Sequence, residues 1–163
     1  MKKMVKQVLK KSSLHEKLRL YGILGGETLQ DITYREATMQ AIDGGMTCMQ
    51  VREKHLDKEQ ILKVISEIKP ICDKAGVPLI INDDIEICKV SDASGVHLGL
   101  SDGSIAEARK LLGEEKIIGA TAHNLEEALA AEAEGADYIG VGAAFGSNSK
   151  GDAIKLPSLD VYN

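Results

Sequence analysis

The chain has 163 residues, of which 44% are hydrophobic and 28% charged, enough apolar material for one packed domain and too much for a disordered segment. Its net charge is −5, and one Phe, four Tyr and no Trp leave neither a basic field nor a base-stacking platform for nucleic acid.

Seven Lys and Arg fall among the first nineteen residues, with Met4, Val5, Val8 and Leu9 spaced for one face of a short helix. Residues 1–18 read as a basic helix or lead-in, and 19–163 as a single domain. No following apolar run is long enough for a signal peptide or a membrane span. Cys48, Cys72 and Cys88 sit in apolar surroundings with no C-x-x-C spacing, as buried free thiols in a reducing compartment would. A cytoplasmic protein with no membrane or nucleic-acid partner is expected.

Short apolar runs then alternate with helical patterns. The spacing predicts strands over 20–24, 47–51, 78–81, 95–98, 117–120 and 138–141, and helices over 34–43, 58–74, 85–90, 104–112 and 125–134. Gly44-Gly45, Gly76, Gly113 and Gly135 stand where helices end. Asn124 and Ser104 stand where helices start, Ser104 with Glu107 placed for a capping box. Strict β/α alternation with short connections implies a parallel sheet, closed as a barrel or open and doubly wound. Gly140, Gly142 and Gly146 lack the G-x-G-x-x-G spacing, and no helical pattern opens directly after them, which argues against a dinucleotide fold.

Ligands of β/α folds bind at the C-terminal ends of the strands. The second strand runs out through Gln50, Arg52 and Lys54, which share one face by the two-residue alternation, with Met49, Val51 and Glu53 on the other. Two cations and an amide suit a phosphate ester, although a strand end running into solvated charge is the commoner cause of such a pattern. The third strand runs into Asn82-Asp83-Asp84, where either aspartate could instead cap the helix at Ile85. The fourth carries His97, expected as a hydrogen-bonded core histidine, and leads to Asp102. The fifth ends near Thr121 and His123. The sixth leads to Ser147, Ser149 and Lys150. Cations and hydroxyls suit phosphates, and Asp83 and Asp102 are hard oxygen ligands of the kind Mg2+ prefers. No zinc spacing, nucleophile elbow or P-loop competes.

Gln50-Val51-Arg52-Glu53-Lys54, Ile80-Ile81-Asn82-Asp83, Gly95-Val96-His97-Leu98-Gly99 with Asp102, and the run Gly135 to Gly142 resemble thiamine phosphate synthase, a family of β/α-barrel enzymes. Ser147-Asn148-Ser149-Lys150 looks like that family's Thr-x-Thr-Lys loop, and the similarity covers about Leu20 to Asp160.

The resemblance implies a transferase of thiamine biosynthesis. It joins the pyrophosphate ester of a 4-amino-hydroxymethyl-methylpyrimidine to 4-methyl-5-(2-phosphoethyl)thiazole, giving thiamine phosphate and pyrophosphate. It further implies that Gln50, Arg52, Lys54, Asn82, Thr121 and Lys150 bind the pyrimidine pyrophosphate, with Thr121 where the family usually has Ser. Ser147 and Ser149 would hold the thiazole phosphate, and Asp83 and Asp102 a Mg2+ cofactor. No covalent nucleophile is implied. Small phosphorylated molecules are the expected partners.

Family members continue through two more strands, so a TIM-type barrel of about six β/α units lacking its last two strands is expected, with activity impaired and self-association through exposed sheet edges a consequence. Two rival readings stay open. One is a related thiazole tautomerase using His123 as acid and base without the Mg2+ carboxylates. The other is a non-enzymatic remnant, or a subunit that needs another chain.

Overall fold

The computed structural model describes residues 13–145 and 155–156. They fall into two compact units, one running to Gly95 and one beginning at Val96. The helix expected around residues 4–9 and the candidates Ser147, Ser149 and Lys150 lie outside the described residues.

In the N-terminal unit, helical residues 13–17 (α1) lead to β1 (Tyr21–Leu24), a 3-10 turn at Gly26–Thr28, α2 (Tyr34–Asp43), β2 (Cys48–Val51), α3 (Lys58–Ala75), β3 (Leu79–Asn82) and α4 (Ile85–Val90). The three strands are parallel in the order β1-β2-β3, with Ile23 opposite Gln50 and Gln50 opposite Ile80. This register brings the C-terminal ends of all three strands to one edge.

All four residues of β2 and the first three of β3 are buried, the near-continuous burial of a parallel strand covered on both faces. Helix α3 buries Val64, Ile65, Ile68 and Cys72, a stripe of helical spacing. Ile68 is fully buried, and cutting it to Ala should cost roughly 2–5 kcal/mol.

Helix starts are set by side chains. Thr33 with Glu36 and Asp57 with Gln60 form reciprocal capping boxes on α2 and α3. Gly76 ends α3 at φ 67, a left-handed conformation that glycine adopts without a Cβ penalty. Gly44, by contrast, closes α2 in a right-handed conformation, and the positive φ falls on Gly45.

The C-terminal unit carries all but the first residue of β4 (Gly95–Leu98), then α5 (Ile105–Leu112), β5 (Ile117–Ala122), α6 (Leu125–Glu134) and β6 (Tyr138–Val141). Strand β5 lies between β4 and β6 and pairs parallel with β6. It runs two residues past its expected end, so Thr121 stands within the strand. Asn124 caps α6 through the Glu127 amide, and Ser104 caps α5 through the Glu107 amide.

The base of this unit is tied by Arg109. Its guanidinium donates to the carbonyls of Gly113, Lys116 and Gly135 and to Asp137 Oδ2 at 2.7–3.0 Å. Asp137 Oδ2 also accepts the Ile118 amide at 2.9 Å.

The three cysteines are buried free thiols, as expected. Among the described residues no helix is long and apolar enough to cross a membrane. Ile23 on β1 and Ile139 on β6 are exposed at 59% and 40%, so some apolar surface does lie open on these strands.

Candidate active site at the strand ends

In the N-terminal unit, two hydrogen bonds and an ion pair join four candidate residues in one run. A carboxylate only accepts, so Asn82 turns its NH2 toward Asp83 and donates to Oδ2 at 2.5 Å. Asn82 Oδ1 then faces β2 and accepts from Gln50 Nε2 at 2.7 Å. Gln50 Oε1 is left to accept from the Tyr21 hydroxyl at 3.2 Å. Lys54 Nζ completes the run, 3.8 Å from Asp83 Oδ2. Each polar atom is thereby oriented by the next, which lets Gln50 lie in the core at 4% exposure.

Asp83 and Asp84 separate cleanly. Asp84 caps α4, accepting the Ile87 amide at 2.8 Å. Asp83, one residue before that cap, holds φ 65, an uncommon conformation for a residue with a side chain. Asp31 and Asp92 hold the same left-handed conformation, at φ 56 and φ 52, so it is the bonds to Asn82 and Lys54 that tie Asp83 to the strand ends. Arg52 follows the last residue of β2; its amide donates to Leu24 O at 2.9 Å, and its side chain is half-buried.

In the C-terminal unit, Thr121 belongs to a second network. His97 Nε2 lies 3.1 Å from Thr121 Oγ1, and His97 Nδ1 lies 3.1 Å from the Tyr138 hydroxyl. The tyrosine ring lies over Gly119, where a Cβ would come within 2.1 Å of it. Only glycine admits that ring. His97 is therefore a hydrogen-bonded, half-buried histidine, and both its nitrogens are engaged.

Asp102 folds back on its own loop. Its Oδ2 accepts the Gly99 amide at 2.9 Å, an approach that a Cβ on Gly99 would obstruct at 2.5 Å. His123 is held by Glu127, whose Oε2 accepts the His123 amide at 2.7 Å and lies 3.0 Å from its Nδ1. The His123 amide, more than any other group, holds the Glu127 carboxyl below its ordinary range.

Asp83 and Asp102 fit Mg2+ in donor chemistry. Both are half-buried carboxylates already oriented by an amide donor, and each carboxylate has about four lone-pair sites to share. Mg2+ takes one or two carboxylates and keeps several waters, so it does not need a cage of three or more. No such cage of His, Cys, Asp or Glu exists among the described residues.

Four participants escaped the reading of the sequence: Tyr21, Tyr34, Glu53 and Tyr138. Tyr34 and Glu53 meet on the β1 side of β2, where the tyrosine hydroxyl donates to Glu53 Oε1 at 2.7 Å. Glu53 carried a signal, since alternation aims it away from the face of Gln50 and Lys54.

A family model described as thiamine monophosphate synthase matches residues 20–163. The thiamine-phosphate synthase of Shouchella clausii (strain KSM-K16) is 46% identical over 136 residues, covering 83% of this chain and 65% of the relative. That of Clostridioides difficile (strain 630) is 40% identical over 146 residues, covering 90% and 70%. The chain thus spans about two thirds of the length of the curated relatives it matches. Among solved structures, a thiamine phosphate pyrophosphorylase from Pyrococcus furiosus superposes with a TM-score of 0.73 at 32% identity, covering 81% of this chain and 63% of that one. The α/β fold of TIM-barrel type expected from the sequence is borne out by this likeness.

Proposed function

Since this chain belongs to the thiamine monophosphate synthase family, we propose that it carries the pyrimidine pyrophosphate site of a transferase that makes thiamine phosphate. The observation that carries the reading is the run Gln50–Asn82–Asp83–Lys54, which holds two amides, a carboxylate and an ammonium together at the ends of β2 and β3.

The chemistry follows from what such groups can do. The bond between the pyrimidine methylene carbon and the ester oxygen breaks, and its electron pair leaves with pyrophosphate. The thiazole nitrogen then donates its lone pair to that carbon, forming the new C–N bond. Arg52, Lys54 and Lys150 would stabilise the charge growing on the leaving group, an effect strongest where water is excluded. Gln50, Asn82 and Thr121 would orient the pyrimidine. Ser147 and Ser149 would hold the thiazole phosphate. Asp83 and Asp102 would hold Mg2+, which when bound would neutralise part of the pyrophosphate charge. No side chain is required as a nucleophile. Small phosphorylated partners and a cytoplasmic location belong to the same reading.

A thermal-shift titration with the pyrimidine pyrophosphate and Mg2+ tests it. The 163-residue chain should be stabilised, and Asp83→Ala and Asp102→Ala should each abolish the Mg2+-dependent part. Stabilisation that is indifferent to Mg2+ and to both aspartates would overturn the synthase reading.

A further inference from the structure

We propose that Glu53 is the positioning residue of the anion clamp, holding the chain that carries Arg52 and Lys54 in a fixed course after β2 has ended. The inference rests on the reading of those two cations as pyrophosphate ligands.

The strand ladder stops early. Regular pairing of β2 with β1 ends at Val51, and the Arg52 amide makes one further backbone bond, to Leu24 O. Beyond it the side chains of 53–55 take over. Glu53 Oε1 accepts two hydrogen bonds at 2.7 Å, from the Gly26 amide and from the Tyr34 hydroxyl. His55 Nε2 lies 2.6 Å from Glu27 Oε1 on the same loop. The backbones are close enough that a Cβ on Gly25 would sit 2.5 Å from Arg52 O.

Lys54 meanwhile reaches the opposite neighbour, Asp83 after β3. The clamp segment is thus held from both sides, by Glu53 on the β1 loop and by Lys54 on the β3 end. A fixed course matters because two charged side chains that must converge on one anion lose affinity when their backbone wanders.

Electrostatics alone predicts the opposite sign. Glu53 is an anion between Arg52 and Lys54 in sequence, and removing its charge should favour binding of another anion. A residue that merely stabilises the fold would lower the melting temperature and leave the affinity of the folded protein unchanged. Only a positioning role makes removal of a nearby negative charge weaken anion binding.

Calorimetric titration of the full chain with inorganic pyrophosphate, with and without Mg2+, separates these cases, because a carboxylate that acted through the cation would matter only in its presence. Glu53→Ala should weaken binding about tenfold, the loss of charge-assisted hydrogen bonds. Glu53→Gln, which keeps one acceptor oxygen, should fall between parent and Ala. Tyr34→Phe should weaken binding less, and should add little to Glu53→Ala because it removes the same junction. Should Glu53→Ala fail to fold, Glu53→Gln and Tyr34→Phe carry the test.

Pyrophosphate binding by Glu53→Gln as tight as or tighter than the parent, with Arg52→Ala still weakening it, would overturn this inference alone. A parent that does not bind pyrophosphate, or binds it regardless of Arg52, would overturn the functional reading and this inference with it.

Discussion

Gln50 Nε2 donates to Asn82 Oδ1 at 2.7 Å, so side chains as well as the backbone ladder join β2 to β3 at their ends. Gln50 is one of two buried polar residues among those described, the other being Thr38. Asn82→Ala would leave the Gln50 amide without this acceptor. The expected cost is about 1–3 kcal/mol, measurable by urea denaturation. The double variant Gln50→Ala, Asn82→Ala should lose less than the sum of the single losses.

Gly119 and Tyr138 form a similar dependence in the C-terminal unit. Gly119→Ala drives a methyl group into the tyrosine ring, which must leave its place beside His97. Overpacking of this kind costs roughly 1–3 kcal/mol. Tyr138→Phe, which removes only the hydroxyl, should cost about 1 kcal/mol. Thermal melts of the two variants should keep that order.

Tyr34 should titrate late. Burial first, and then the Glu53 carboxylate, push its phenol from the ordinary 10.0 up to about 12. A folded value above the unfolded one means that the neutral phenol stabilises the fold. That stabilisation is fully present below pH 10 and is lost as pH rises toward 12. Difference absorbance of parent against Tyr34→Phe should show this phenol ionising near the upper value. Glu53→Ala should recover only part of the shift, since burial is its larger cause.

Arg109 should be costly to remove. Arg109→Ala strips three carbonyls and the half-buried Asp137 of one shared donor. Breaking a fully buried pair from one side costs roughly 3–5 kcal/mol, which is the upper bound for this partly exposed one. Arg109→Lys should restore only part of it, because an ammonium cannot span the same fork of acceptors. Chemical denaturation of the three proteins checks the order.

Cys48 and Cys72 should resist alkylation in the folded protein. Both are fully buried, and burial raises their thiols to about 12 and about 11. The thiolate is the reactive form. Labelling with iodoacetamide at mildly alkaline pH should therefore follow unfolding rather than precede it.

Local chemistry made most of the fold legible. Six strands and five helices stand where period and flanking glycines put them, with ends shifted by one or two residues. The shifts have reasons. Asn82 joins β3 and Thr121 joins β5, although polar side chains made the apolar runs seem to stop earlier. Ser104 begins α5 as its cap and not as its first helical residue. The expected capping box at Glu107 shows only its Ser104 arm, because the reciprocal bond needs a side-chain rotamer that spacing does not specify.

The aspartate pair marks the boundary between the two kinds of information. From sequence, either Asp83 or Asp84 could cap the helix at Ile85, and Asp83 is also the metal candidate. In the fold, Asp84 takes the cap, and Asp83 turns left-handed toward Asn82 and Lys54. Residue types and periodicity determined the α/β alternation, the strand ends and the residues gathered there, because each depends on neighbours a few positions away. Tertiary structure alone decided that Tyr21 meets Gln50, that Glu53 reaches Gly26 and Tyr34, and that His97 joins Thr121 to Tyr138. Those partners stand 19 to 41 residues apart, and only packed strands bring their hydroxyls, carboxylates and ring nitrogens within hydrogen-bonding reach.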